Sequence, residues 1–63
     1  MSVNRLDLIR HLERHGFYLR REGRNHSIYS NGKGVSVPIK RHKIFDRITV
    51  NELCKEAGIP KIF

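Results

Sequence analysis

Sixty-three residues make one domain, 1–63, because a chain this short buries only about 60% of its unfolded surface and has no material for a second core. Thirteen Lys and Arg against six Asp and Glu leave a formal net charge of +7, which attracts polyanions over a Debye length of about 8 Å and makes nucleic acid the expected partner. The single cysteine, Cys54, rules out an internal disulfide and a cysteine metal site, and the polar segment after Met1 lacks the apolar run of a signal peptide or membrane helix, so a soluble cytoplasmic protein is expected.

In chain order, residues 4–15 read as a helix. Asn4 caps it, Asp7 lies in its first turn, and Leu8, Ile9 and Leu12 recur at helical spacing. His15 faces the negative end of the helix dipole, and Gly16 supplies a left-handed C-terminal cap. His11 and His15 are one turn apart with no third ligand nearby, so they are read as solvated helix histidines rather than a metal pair.

From Phe17 the period changes to two, and Phe17, Leu19 and Arg21 alternate with Tyr18, Arg20 and Glu22 as in a half-buried strand. Gly23-Arg24 is read as a two-residue type II′ hairpin turn leading into a second strand, Asn25 to Ser30. Asn31-Gly32-Lys33-Gly34 makes the next turn. Val35 to Pro38 is a short third strand that its proline confines to an edge or an end. These turns pair Arg21 with His26, Leu19 with Ile28, and Ile28 with Val37. The expected core face is therefore Leu19, Ile28 and Val37, with Tyr18 and Tyr29 on the other face and His26 at the margin.

A basic link, Lys40-Arg41-His42-Lys43, precedes Thr49-Val50-Asn51-Glu52, which has the form of a capping box with Ile48 stapled onto Leu53. The second helix is thus expected to start at Val50, to bury Leu53, Cys54 and Ala57, and to end at Gly58 before Pro60. Cys54 is read as a small core residue. The whole predicts an α+β fold, α-β-β-β-α, with a three-stranded antiparallel sheet and two helices on one face.

Gly16 to Arg21, Gly23 to Gly32, Val37-Pro38 and the closing Leu53 to Ile59 together resemble the HicA family of bacterial toxins over nearly the whole chain. The resemblance implies a double-stranded-RNA-binding-domain-like fold, metal-independent cleavage of messenger RNA with no cofactor, and neutralisation by a HicB-type antitoxin through which oligomers can form. The family's functional histidine opens the second strand, often within Gly-Ser-His. By position it is His26, here within Gly23-Arg24-Asn25-His26, so Asn25 stands where many members have a small serine.

An imidazole, with an ordinary pKa of about 6.5, suits abstraction of a ribose 2′-hydroxyl proton. Arg21, as the expected cross-strand neighbour of His26, would stabilise charge on the phosphate. Arg24, Asn25, Lys40, Arg41, His42 and Lys43 complete the expected RNA-binding set. The acid for the leaving 5′-oxygen stays open among His42, Tyr29 and water. No phosphate-cradling glycine loop with lysine, paired Cys/His ligand set or Ser/His/Asp pattern points to another enzyme class. The rival reading is a non-catalytic double-stranded-RNA or other nucleic-acid-binding module in which His26 only touches phosphate.

Overall fold

Residues 2–62 are described by the structure, a computed structural model. They run β1 (Ser2–Asn4), α1 (Arg5–Arg14), β2 (Tyr18–Glu22), β3 (His26–Ser30), β4 (Ser36–Lys40), β5 (Ile44–Asp46) and α2 (Arg47–Ala57). The three-stranded antiparallel sheet has the order β2-β3-β4 between the two helices, so the expected α+β, α-β-β-β-α arrangement holds. A second, two-stranded sheet pairs β1 with β5, aligning Val3 with Phe45. No helix among the described residues is long and apolar enough to cross a membrane.

The helix ends follow local chemistry. Asn4 Oδ1 accepts the Leu6 N–H at 3.0 Å and starts α1. Gly16, with φ +86°, closes it: its N–H donates to the Glu13 carbonyl, and the Phe17 N–H donates back to Leu12. Gly58 repeats this motif at the end of α2, with its N–H on the Lys55 carbonyl and the Ile59 N–H on Cys54. The start of α2 differs from expectation. Asp46, rather than Thr49, is the cap; its carboxylate accepts both the Thr49 N–H and the Thr49 hydroxyl at 2.9 Å. Thr49 and Val50 therefore lie inside the helix, and Ile48 is 75% exposed instead of stapled.

The register also differs, for two local reasons. The Gly23 N–H donates to the His26 carbonyl at 2.7 Å, so the tight turn is Arg24-Asn25 and Glu22 faces Ser27. Gly23 does not have positive φ, but a Cβ there would stand 3.1 Å from the His26 carbonyl oxygen, close enough to push that backbone by a few tenths of an ångström. A register shift between Leu19 and Arg21 then brings Leu19 opposite Tyr29. On the other side, Asn31 Oδ1 accepts the Lys33 and Val35 N–H groups, and the Asn31 N–H reaches the Val35 carbonyl. This lengthens the loop by one residue, so Val37 faces Tyr29 instead of Ile28.

One residue of slip exchanges the faces of a strand. The inward face is Ser27, Tyr29, Val37 and Ile39, whereas Ile28 is only half-buried and Leu19 is 47% exposed. Leu8 and Leu12 of α1, Val50, Cys54 and Ala57 of α2, and Val3, Phe17 and Phe45 complete a single core on that face. Pro38 is exposed on β4, an edge strand, where its missing N–H is tolerated.

A chain of this size has a total stability of roughly 3–9 kcal/mol, so one buried side chain is a large share. Ile39→Ala, at a fully buried position, is expected to cost about 2–5 kcal/mol, and Leu19→Ala about 1 kcal/mol or less. Urea unfolding of both variants checks the register; the opposite ranking would restore Leu19 to the core.

Candidate active site

His26 opens β3 directly across from Lys40 of β4, on the strand face that alternates with the buried Ser27. Its side chain is half-buried. It borders a cleft of about 370 Å³ whose wall combines Pro38 and Lys40 with His42, Phe45 and Asp46 of the link and ribbon and with Thr49 and Leu53 of α2. It also borders a more open depression lined by Arg24, Asn25, Lys40, Arg41 and His42. Six of the eight residues expected at the site are thus gathered: Arg24, Asn25, His26, Lys40, Arg41 and His42.

Two expected members stand elsewhere. Arg21 pairs with Ile28, so it is not the cross-strand neighbour of His26; Lys40 is. Lys43 lines a separate apolar hollow with Leu6 and Ile44.

The turn before His26 is held by charge-assisted hydrogen bonds. The Arg41 guanidinium donates to the Glu22 carboxylate and to the carbonyls of Gly23 and Arg24, the last at 2.9 Å. The second Glu22 oxygen accepts the Ser27 hydroxyl at 2.8 Å. Ser27 in turn accepts from Arg5, whose Nε also reaches the Lys40 carbonyl at 3.3 Å. Ser27 is only 1% exposed, so its hydroxyl sits at a core position where an unpaired polar group would be costly. The Ser27 hydrogen bond, with Arg41 beside it, holds the Glu22 carboxyl below the usual range.

His42 rests on an apolar wall: its ring stacks on Phe45, with centroids 5.9 Å apart and planes inclined by 24°. Phe45 is buried and tied to Val3 through the β1–β5 pair. Asp46 borders the same cleft but is fully engaged on Thr49, and those hydrogen bonds lower its pKa. Tyr29 lies on the core face, where burial pushes its phenol up. Glu22, Ser27, Arg5 and Phe45 were missed as site residues; for Glu22 the signal available in the sequence was a lone acid among the arginines of a basic hairpin.

Away from this site, Cys54 is buried in the core and its thiol is raised by burial. His11 is not simply solvated: its Nε2 donates to the Pro60 carbonyl at 2.6 Å, and its ring meets that of His15 edge-on. Among the described residues no group of three or more His, Cys, Asp or Glu could hold a metal ion.

Fold and site together define a small basic α-β-β-β-α protein that carries a histidine between a cleft and a cationic depression. The family model described as HicA toxin of bacterial toxin-antitoxin matches residues 6–59, most of the chain. The chain belongs to that family, the toxins of toxin–antitoxin systems. No individual curated protein and no solved structure matched it.

Because the Glu22 pKa is lower in the folded state than its ordinary 4.5, its contribution to stability is complete above that value and is lost as pH falls through the depressed one. Glu22→Gln is expected to flatten this acid limb while leaving the one due to Asp46. Urea midpoints measured between pH 3 and pH 7 on the two proteins check it.

Proposed function

We propose that this protein is an endoribonuclease toxin that cleaves messenger RNA with His26 as its general base, held silent by a HicB-type antitoxin. The observation that carries the reading is a half-buried imidazole at a strand end, faced by Lys40 and bordered by Arg24 and Arg41, in a chain of the HicA family. The cationic lining suits a phosphodiester, and a histidine suits the removal of a proton from the neighbouring 2′-hydroxyl.

The 2′-oxygen then attacks its own phosphorus. The products are a 2′,3′-cyclic phosphate and a free 5′-hydroxyl. The nucleophile is internal to the substrate, so the step draws on no metal or cofactor. Lys40, in the place expected of Arg21, lies where it meets the charge that grows on the phosphate. Arg24, Asn25 and the backbone of the turn present the rest of the phosphate grip. Ile44, 60% exposed at the cleft wall, and Leu6 beside it give a partner an apolar foothold next to the basic face, as an antitoxin covering the site requires.

His26 shapes its turn through its backbone carbonyl, which Ala retains. His26→Ala is therefore expected to melt close to the parent and to cut RNA about 10²–10⁴-fold more slowly, with growth arrest lost on expression. Unfolding of the variant would make His26 structural. Undiminished cutting would refute the catalytic role, and RNA binding without cutting by the parent would select a binding module instead.

Affinity for RNA is expected to fall with salt at a log-log slope of about −0.7 per phosphate contact on single strands. Lys40→Glu should weaken binding to all sequences and reduce that slope. An unchanged slope in a filter-binding titration would remove Lys40 from the interface.

A further inference from the structure

A histidine that removes the 2′-proton leaves half of the reaction without a donor, since the 5′-oxygen departs as a poor alkoxide unless it is protonated. We propose that His42 is that donor, giving its proton to the leaving 5′-oxygen while His26 takes the one from the 2′-hydroxyl. The proposal rests on the reading of this site as RNA-cleaving.

Three observations carry it. His26 and His42 line both the cleft and the more open depression beside it, with Lys40 in each wall, so a phosphate seated in either has both histidines in its surroundings. The His42 ring is not a loose surface group, because it stacks on Phe45, a core residue anchored by the β1–β5 pair. Most tellingly, Arg41, the residue before His42, grips the carbonyls of Gly23 and Arg24 and the carboxylate of Glu22. The chain carrying one histidine is thus fastened to the turn carrying the other.

The other proton-bearing groups near the site are spent or turned away. Asp46 is an acceptor for two hydrogen bonds from Thr49 and is held ionised. The Thr49 hydroxyl is committed to that carboxylate. Both Glu22 oxygens accept hydrogen bonds. Tyr29 belongs to the core face. A lysine ammonium is by nature a much weaker acid than an imidazolium, and arginines do not release protons in this range.

The step balances. The 2′-O–H proton passes to neutral His26, and the new 2′-O–P bond forms. The P–O5′ bond breaks with its electron pair on oxygen, and charged His42 protonates that oxygen. His26 finishes charged and His42 neutral, and exchange with water restores both.

The test replaces the bridging 5′-oxygen by sulfur at a mapped cut site of an RNA that the wild-type protein cleaves, because a thiolate leaves without protonation. Removing the acid should then harm only the oxygen substrate. His42→Ala is expected to slow the oxygen substrate about 10²–10⁴-fold and the sulfur substrate less than about tenfold. His42→Gln, which keeps a polar side chain without the titrating proton, should give the same split. His26→Ala should slow both substrates alike, and so should Lys40→Met. Equal losses for His42→Ala on the two substrates, or no loss on either, would overturn the proposal while leaving the nuclease reading intact. A wild-type protein that cuts neither substrate would refute the nuclease reading itself, and the proposal with it.

Discussion

The Glu22 carboxylate is the point on which the arrangement of this protein turns. It joins a buried hydroxyl in β3 to a guanidinium in the link after β4, and through Ser27 it reaches Arg5 at the start of α1. Arg5 stands at the positive end of the helix dipole, an unfavourable place for a cation. Its hydrogen bonds to Ser27 and to the Lys40 carbonyl offset that position and fasten the helix to both strands. Charge-assisted hydrogen bonds are stronger than neutral ones and more particular about geometry. Here they set the geometry of the turn that ends at His26.

What local chemistry determines was legible in the residues. Asn4, Gly16 and Gly58 cap helices where their backbone preferences place them, and the three strands of the main sheet follow from the alternating segments between. The register was not legible, because it depends on a backbone close approach at Gly23, a shift beside Arg20 and an asparagine that stretches the following loop. Each moves the pairing without altering hydrophobic periodicity. Ser27 compounds this: a polar residue at a core position makes the true inward face look like the outward one. Asp46 took the cap from Thr49 because its carboxylate satisfies both the N–H and the hydroxyl of Thr49.

The candidate site divides similarly. Residues close to His26 in the hairpin were found from sequence because adjacency carries them there, whereas Lys40 was found only as part of the basic link and its place directly across from His26 was not. Phe45 and Asp46 reach the cleft only because β1 and β5 pair, and three-residue strands leave no periodic trace. The cations also separate into kinds that composition cannot distinguish. Arg41 is spent on the protein's own carbonyls and carboxylate, Lys43 faces another hollow, and Lys40 borders the histidine. Net charge measures attraction at a distance and overstates the number of groups that can grip a ligand.

The β1–β5 ribbon also bears on the order of events during synthesis. Val3 finds Phe45 more than forty positions downstream, and Phe45 is the platform under His42. Closing so long a loop is entropically late, and it waits until the residues through Phe45 have emerged. A nascent chain can therefore form its first helix and its hairpin while the histidine cleft is still open on one side. The cleft thus acquires its last wall, and His42 its platform, only once β5 has been made and has found β1.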